Sequence, residues 1–334
     1  MNTNAQIGHA LWFVGPRQVE LRAEQVVPPA SKEIQVRAIH SLVSPGSEMN
    51  LYRGEGNLPN SLLPTAKGTI PFPLKFAYQT VGEVVAAGSR SGYAVGDKVF
   101  ATHPHQDLFN IEAGDFVSRI PEGMDLLKAQ FASMFSVAHQ TLLQRPVRPG
   151  EIVAVSGLGL VGSFTAFLAR LSAGRLIGID PLAARRRQAS WIGADAIIPP
   201  ERAAETLNEL SEGRGVDLFI ETSGAPPALQ TAILNTAVLG TIAVSAWYGT
   251  RPVSLSLSPE FHLRSQKIVS IHVANLDENA RWSTARKFHT CLDFLRRIDV
   301  EALISHRIPF KDAAEAYRLI DQKPDETLAV LLEH

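Results

Sequence analysis

The middle of the chain alternates short apolar runs with longer amphipathic segments. The runs have strand length and are rich in β-branched residues; in order they are Ile152–Val155, Leu176–Ile179, Ala196–Ile198, Val216–Ile220, Thr241–Ser245 and Ile268–Val273. The segments between them have helical spacing, as in the i, i+3, i+4, i+7 series of Phe164, Phe167, Leu168 and Leu171. Strands that alternate with helices predict βαβ units, so we expect a doubly wound α/β domain with a parallel sheet over residues 123–271.

The flanking regions have other patterns. Residues 1–122 are β-rich, with strands predicted at His9–Val14, Gln18–Val27, Glu33–Val43, Val81–Ala87, Lys98–Ala101 and Phe116–Ile120. The proline-rich segment Gly54–Lys75 predicts a long loop. Residues 272–334 predict two helices, Ala280–Ile298 and Lys311–Ile320, around a strand at Ala302–Pro309. We therefore expect two domains and a C-terminal segment, at 1–122, 123–271 and 272–334.

A glycine turn follows the first central strand, and an acid ends the second. The turn residues are Gly157, Gly159, Leu160, Val161 and Gly162. In a dinucleotide site the first glycine allows the turn, the second lets a pyrophosphate approach the backbone, and the third lets the helix pack on the strand. The helix N-terminus offers free N–H groups, and Asp180 can accept hydrogen bonds from a ribose. Because strand, turn, helix, strand and acid occur in this order, we predict dinucleotide binding rather than an unrelated glycine turn.

Composition narrows the choice of partners. The formal net charge is −1, 45% of the residues are hydrophobic and 19% are charged, so no basic excess favours nucleic acid. No run approaches the ~20 apolar residues of a membrane helix, and no signal peptide is evident. The single cysteine, Cys291, excludes an intramolecular disulfide and fits a reducing compartment. It lies in an apolar helical stripe, which predicts a buried core residue. We expect a cytoplasmic protein that acts on a small molecule.

Several segments resemble the medium-chain dehydrogenase/reductase superfamily. They are Gly96-Asp97-Lys98-Val99, Arg119-Ile120-Pro121-Glu122-Gly123, Arg148-Pro149-Gly150-Glu151 and the GLGLVG turn at 157–162. The resemblance covers nearly the whole chain. It implies a GroES-like β-barrel for residues 1–122, a Rossmann domain for 123–271, and a tail that returns to the barrel domain. It also implies an active site in the cleft between the domains, and a homodimer.

The chain departs from the zinc-dependent members of this superfamily. Their ligand segments correspond here to Ser44–Glu48, which has no cysteine, and to Ala77–Gly82, where Tyr78 replaces a histidine. A catalytic zinc needs three protein ligands and an open position, so the resemblance implies a zinc-independent member. The alternative is a rearranged metal site formed by Glu48, His103 and His105.

Without zinc, a hydroxyl group must assist the chemistry. Ser47 stands where zinc-dependent relatives carry a hydroxyl of their proton relay, and Tyr52 lies near a tyrosine of the zinc-free quinone reductases. Tyr78 would stand in the former metal site. A tyrosine can donate a hydrogen bond to a developing oxyanion. The alternative roles are a turn cap for Ser47 and an edge-packing aromatic for Tyr52.

The choice of coenzyme depends on Asp180 and its neighbours. A carboxylate repels the extra phosphate of NADP and accepts from the 2′-hydroxyl of NAD, and the resemblance implies that Arg185 flanks this ribose. The run Arg185-Arg186-Arg187 leaves NADP as an alternative. The expected walls of the nicotinamide half follow the fourth and later strands; they are Thr222, Ser223, Trp247 and Val273. Their alternative role is core packing.

These expectations combine into one function with two alternatives. We expect a zinc-independent, NAD-preferring oxidoreductase that exchanges a hydride with a ketone or secondary alcohol. The Ser44–Glu48 segment resembles the bacteriochlorophyllide dehydrogenase branch, which implies that a bulky substrate and a biosynthetic role are open. The first alternative is an NADPH-dependent quinone or enoyl reductase that reduces a C=C bond. The second is a non-catalytic dinucleotide-binding protein.

Overall fold

The computed structural model describes residues 5–56, 65–114, 116–273 and 281–334. The chain divides into two units: unit 1 contains Met1–Ser133 and Thr284–His334, and unit 2 contains Met134–Ser283. The predicted Ala280–Ile298 helix and the Gly54–Lys75 loop each lie partly outside the described residues. Among the described residues, no helix combines the length and the apolar character that a bilayer-spanning segment needs.

Among the described residues up to Ser133, most of the regular secondary structure is antiparallel β-strand. In chain order the elements are β1 (Gln6–Gly15), β2 (Gln18–Val26), β3 (Glu33–Val43), α1 (Ser47–Arg53), β4 (Lys67–Gly68), β5 (Leu74–Lys75), β6 (Thr80–Ala87), β7 (Lys98–Ala101), β8 (Leu108–Glu112), β9 (Val117–Arg119) and α2 (Leu126–Gln130). Strands β4 and β5 lie within the segment predicted as a long loop, and β8 and α1 were not predicted. One sheet has the order β2-β1-β5-β4.

Residues 134–283 form the parallel α/β unit. Its elements are α3 (Ala132–Gln144, which begins in unit 1), β10 (Ile152–Ser156), α4 (Leu160–Arg170), β11 (Arg175–Ile179), α5 (Ala183–Gln188), β12 (Ala196–Ile198), α6 (Ala203–Leu210), β13 (Val216–Glu221), α7 (Pro226–Asn235), β14 (Thr236–Val244), α8 (Glu260–Leu263) and β15 (Lys267–Ser270). The sheet order is β12-β11-β10-β13-β14-β15, which is the doubly wound order with its switch point between β10 and β13. Every residue of β10 is buried, as expected for a parallel strand covered on both faces.

The last residues complete the larger sheet of unit 1. They form α9 (Thr284–Leu295), β16 (Ile304–Pro309), α10 (Ala313–Gln322) and β17 (Ala329–Glu333). Strand β17 was not predicted; it pairs with β3, and the sheet runs β16-β17-β3-β6-β7-β9, with β8 also paired to β3. Cys291 is fully buried in α9, as predicted. The antiparallel sheets and the Rossmann-type unit together confirm the predicted fold class.

Two local predictions were wrong. The segment after the Val216–Ile220 run predicts a helix that begins at Pro226 and is closed by Gly240, but α7 ends at Asn235, and Thr236 already begins β14. The apolar stripe of α4 was expected to include Leu171, but the helix ends at Arg170, and Leu171 is 51% exposed. Phe164 and Leu168 of the predicted stripe are buried, and the small residues Gly162 and Ala166 are buried beside them.

Candidate coenzyme site and hydroxyl cluster

The glycine turn after β10 excludes side chains at two positions. Gly157 has φ +90°, and a Cβ there would lie 2.7 Å from the Ser223 amide nitrogen. A Cβ at Gly162 would lie 1.7 Å from the Gly157 carbonyl oxygen. The turn therefore packs directly against the first turn of α4 and against the turn that follows β13. Only glycine satisfies both the backbone angle and the contacts at Gly157.

The N-terminus of α4 presents amides at this turn. Gly159 is the N-cap, and Leu160 and Val161 begin the helix. The first amides of a helix have no intrahelical acceptor and carry the positive end of its dipole. A Cβ on Gly159 would meet only the Arg185 Nη1 atom, at 3.0 Å. The flexible end of this guanidinium group thus adds a positive charge beside the amides, and the two together suit a pyrophosphate.

Asp180 links the turn to the next strand. Its side chain is nearly buried, with 3% of the residue exposed. One carboxylate oxygen accepts from the Leu158 amide at 2.7 Å, and the other accepts from the Leu182 amide at 2.8 Å. Because each carboxylate oxygen has two lone pairs, both can still accept a further hydrogen bond, as a ribose would require.

The three arginines after Asp180 differ in their surroundings. Arg185 is partly buried, and burial lowers the pKa of its guanidinium group, while the nearby Asp180 opposes this shift. The Arg186 Nη1 atom donates to the carbonyl oxygens of Asp180 and Pro181, at 2.7 and 2.8 Å. Arg187 is exposed. The run therefore does not present three equivalent cations.

The turn after β13 packs on the glycine turn. Thr222 Oγ1 donates towards the carbonyl oxygens of Ser156 and Gly157, which lie 2.9 and 2.7 Å away. Ser223 follows it and donates to the Glu221 carboxylate through both its amide and its hydroxyl group. These contacts bring two predicted coenzyme residues to the switch point of the sheet. Trp247 and Val273 are partly buried after β14 and β15, and their contact with a coenzyme stays a prediction.

Sequence reasoning missed the role of Glu221 in this turn. The residue is fully buried at the end of β13. Its carboxylate accepts from the amides of Ser223 and Gly224 and from the Tyr248 hydroxyl group at 2.7 Å. An acid at the end of an otherwise apolar strand was the available signal, because a buried carboxylate requires several donors.

Unit 1 brings two of the three predicted catalytic hydroxyls together. The Tyr78 hydroxyl donates to Ser44 Oγ at 2.6 Å, and it also interacts with the Ser47 side chain at the start of α1. Burial, reinforced by the negative charge of Glu48, raises the pKa of Tyr78 to about 12. Tyr78 therefore stays protonated at neutral pH and remains a hydrogen-bond donor. We call Ser44, Ser47 and Tyr78 the hydroxyl cluster.

A buried carboxylate lies behind the hydroxyl cluster. Glu48 is fully buried; it accepts from the Ser44 amide at 3.0 Å, from the Tyr317 hydroxyl at 2.8 Å and from His105 Nε2 at 3.0 Å. His105 Nδ1 lies 2.8 Å from Ser41 Oγ, which in turn lies 2.8 Å from His334 Nε2. Tyr317 lies 269 residues from Glu48 along the chain, so the sequence offered no signal for that contact.

Tyr52 has different surroundings from Tyr78. Its ring packs against Phe13 and Tyr317, with centroid distances of 6.4 and 5.3 Å. It also lines a cavity of about 530 Å³ with Arg17 and Asp321, and burial raises the pKa of its hydroxyl group. Neither Ser47 nor Tyr78 lines this cavity. The packing agrees with the alternative role of Tyr52, and a catalytic role stays a prediction.

The alternative metal site is not assembled. Within residues 5–56, 65–114, 116–273 and 281–334, no group of three or more His, Cys, Asp or Glu side chains is placed to hold a metal ion. Glu48 and His105 contact each other, but His103 stacks on Phe109 with ring centroids 3.8 Å apart, and its Nδ1 atom bonds to the Pro104 carbonyl. The alternative set of Glu48, His103 and His105 is therefore not brought together as one group in the described part of the chain.

The fold and the glycine turn define a dinucleotide-binding α/β protein, and comparisons narrow this class. A family described as Zinc-binding dehydrogenase matches residues 161–290. D-guloside 3-dehydrogenase of Escherichia coli (strain K12) is 31% identical over 259 residues, which cover 74% of each chain. The 2-desacetyl-2-hydroxyethyl bacteriochlorophyllide A dehydrogenase of Cereibacter sphaeroides is 27% identical over 95% of each. An Escherichia coli oxidoreductase of unknown specificity has the same fold, with a TM-score of 0.83, 15% identity, and coverage of 98% of this chain and 99% of that one.

The chain belongs to the medium-chain dehydrogenase/reductase superfamily, and it is an NAD(P)-dependent dehydrogenase. The predicted enzyme class and the predicted hydride exchange between a ketone and an alcohol are confirmed at this level.

Proposed function

We propose that this dehydrogenase is zinc-independent, prefers NAD, and interconverts a secondary alcohol and its ketone. The observation that carries the proposal is the 2.6 Å hydrogen bond between Tyr78 and Ser44. Tyr78 stands where zinc-dependent relatives carry a histidine ligand, and Ser44 lies in the segment that carries their cysteine ligand. Both residues supply neutral hydroxyl groups. Neither group is among the Cys, His and carboxylate ligands that zinc takes in proteins.

The residues at these positions do not fit a catalytic zinc. The only cysteine is buried in α9, and burial raises the pKa of its thiol to about 12, which opposes the thiolate form that metals bind. The carboxylate of Glu48 already accepts from three protein donors. The match to the zinc-binding family covers residues 161–290 and so does not include the hydroxyl cluster.

Tyr78 has the properties of an oxyanion donor. Its raised pKa keeps the proton on the hydroxyl group, so it can donate to a substrate oxygen as negative charge develops during reduction. For this, the Tyr78 proton must turn from Ser44 Oγ to the substrate oxygen, while the Ser44 and Ser47 hydroxyl groups orient Tyr78. A nicotinamide coenzyme bound in unit 2 would supply or accept the hydride. In the oxidation direction the same three hydroxyl groups would hold the alcohol oxygen.

The preference for NAD is supported by Asp180. Its buried carboxylate is held by two backbone amides, so it cannot easily turn away from the ribose. A 2′-phosphate beside it would face a fixed negative charge. Strong selectivity for NADPH would instead favour the reductase of C=C bonds.

A polyhydroxylated or glycosidic alcohol is the substrate class to test first. D-guloside 3-dehydrogenase and sorbitol dehydrogenase are among the relatives, and their names indicate secondary alcohols of sugars or polyols. The bacteriochlorophyllide dehydrogenase among the relatives supports a test of bulky secondary alcohols as well.

We also propose a homodimer. The exposed edge strand β15 is a candidate contact between the two copies, and sedimentation analysis would measure the oligomeric state.

The decisive experiment on zinc independence is an analysis of bound metal and of its effect on activity. Protein purified without added metal is assayed for bound zinc, for activity with NAD and NADP, and for activity after dialysis against a chelator. We expect less than one zinc per chain and unchanged activity. Bound zinc whose removal abolishes activity would refute zinc independence.

Tyr78→Phe is the matched test of the donor role. We expect kcat to fall by ~100- to 1000-fold, as for the loss of one oxyanion donor, with little change in the KM for NAD. Tyr93→Phe is the control, because it also removes one tyrosine hydrogen bond in unit 1, to the Val117 carbonyl. Equal activity in the two variants would show that Tyr78 does not assist the reaction.

A further inference from the structure

The sheet order fixes the direction in which a dinucleotide lies. The adenosine half belongs beside β11, because Asp180 ends that strand, and the pyrophosphate belongs at the N-terminus of α4. The nicotinamide half therefore extends to the other side of the switch point, towards β13 and β14. The residues that follow these two strands are Thr222–Gly224 and Ser245–Tyr248.

One buried carboxylate joins these two segments. Glu221 Oε1 accepts from the Ser223 amide at 2.7 Å, from the Ser223 hydroxyl and from the Gly224 amide at 3.1 Å. Glu221 Oε2 accepts from the Tyr248 hydroxyl at 2.7 Å. Hydrogen bonds to an ionised acceptor are stronger than neutral ones, so the carboxylate holds the two segments more firmly than their backbone contacts alone.

Tyr248 is suited to this contact. Burial, together with the bond and the negative charge of Glu221, raises the pKa of Tyr248, so its hydroxyl group remains a donor. Its neighbour Trp247 is one of the predicted walls of the nicotinamide half. A fixed Tyr248 therefore restricts the backbone position of Trp247.

The turn held by Glu221 also contacts the glycine turn at which the pyrophosphate is expected to bind. Thr222 lies between Glu221 and Ser223, and its hydroxyl group donates to the Gly157 carbonyl. A shift of the 222–224 turn would thus disturb the contact with the glycine turn, where a Cβ on Gly157 would lie 2.8 Å from Ser223 Cα. Glu221 is therefore connected to the glycine turn through Ser223 and Thr222, and to the segment after β14 through Tyr248.

We propose that Glu221 and Tyr248 are positioning residues for the nicotinamide half of the coenzyme, and this inference rests on the coenzyme site proposed above. Neither residue needs to touch the coenzyme. Glu221 sets the 222–224 turn, and Tyr248 ties the segment after β14 to it. The adenosine half lies beside Asp180 on the other side of the switch point. It should be independent of the Tyr248–Glu221 hydrogen bond, because Glu221 keeps its bonds to the 222–224 turn when Tyr248 is replaced.

Two ligands separate the halves experimentally. NADH and ADP-ribose share the adenosine, the pyrophosphate and the second ribose, but only NADH has the nicotinamide ring. For Tyr248→Phe we expect the Kd of NADH to rise by about tenfold and the Kd of ADP-ribose to stay within twofold. Glu221→Gln is the second variant, since its amide oxygen can still accept from Ser223 and Gly224.

A double-mutant cycle tests whether the two residues act together. If Tyr248 acts through Glu221, the double variant should weaken NADH binding no more than the stronger single variant does. Tyr93→Phe in unit 1 is the control and should change neither Kd. The assay is isothermal titration with the full-length protein, together with a thermal melt of each variant.

The outcomes are distinguishable. An unchanged Kd of NADH in Tyr248→Phe, or equal weakening of NADH and ADP-ribose, would overturn the positioning role. Additive effects in the cycle would overturn the link through Glu221. If the unmodified protein binds neither ligand, the proposed coenzyme site itself fails, and the inference fails with it.

Discussion

The coenzyme turn of unit 2 and the hydroxyl cluster of unit 1 are built in different ways. The turn consists of backbone amides and glycines within one short segment, Gly157–Gly162, together with Asp180 just after the next strand. The hydroxyl cluster consists of side chains, and Glu48 behind it receives donors from Ser44, His105 and Tyr317. A site made of backbone depends on local chain geometry, whereas a site made of side chains depends on distant partners. The two should therefore fail in different ways when residues are replaced.

The largest effect is expected from Glu48→Leu. The substitution leaves the Ser44 amide, His105 and Tyr317 without their shared acceptor in a buried site. Removing one partner of a buried charged contact costs about 3–5 kcal/mol of unfolding free energy, which urea denaturation would measure. Glu20→Leu is the control, because Glu20 pairs with Arg22 at the surface and should cost less than ~1 kcal/mol. Similar losses in the two variants would mean that the buried network does not stabilise unit 1.

Gly159→Val should abolish coenzyme binding without unfolding the protein. The Cβ of the new side chain would meet only the flexible end of Arg185, but the side chain would occupy the approach of the pyrophosphate. We expect the Kd of NADH to rise by at least ~100-fold with an unchanged melting temperature. Gly114→Val, at a position with open space around it, should bind NADH normally. Normal NADH affinity in Gly159→Val would place the pyrophosphate elsewhere.

Asp180→Asn should have a smaller and more selective effect. The asparagine side chain lacks the negative charge that opposes a 2′-phosphate. It also has one acceptor oxygen in place of two, so it can accept from only one of the two backbone N–H groups that now donate to Asp180. We expect the ratio of kcat/KM for NAD to that for NADP to fall by about tenfold. Asp217→Asn is the control, since Asp217 also accepts from one backbone amide in unit 2. An unchanged ratio in Asp180→Asn would show that this carboxylate does not face the ribose.

The last prediction concerns how the unfolding free energy depends on pH through two buried histidines of unit 1. Burial lowers the pKa of His103 from 6.5 to about 3, and burial together with His105 and His40 lowers that of His334 to about 3. Below pH 6.5 the unfolded chain gains protons that the folded chain does not, so the unfolding free energy should fall as the pH drops from 6.5 to 3. His103→Phe should flatten this decline in denaturation curves across that range. An equally steep decline in the variant would contradict a buried neutral His103.

The same contrast explains how much the sequence predicted. The β10–turn–α4–β11 segment and Asp180 were predicted because hydrophobic period, glycine spacing and strand ends are local properties. The placement of Tyr78 in the former metal site was expected only through family resemblance, and its contact with Ser44, 34 residues away along the chain, was not predicted. The contact of Glu48 with Tyr317 could not be predicted, because Tyr317 lies 269 residues away. The end of α7 was mispredicted because β14 begins directly at Thr236, and sheet pairing overrides the helical spacing there.

The isolation of Cys291 has a practical consequence. It is the only thiol in the chain, and burial both shields it and raises its pKa to about 12, so maleimide dyes should react with it very slowly in the folded state. The unmodified protein should therefore give little background labelling when cysteines are introduced at its surface for site-specific attachment of dyes. A pair of introduced surface cysteines, one in each unit, would report by fluorescence energy transfer how the distance between the units responds to coenzyme in solution.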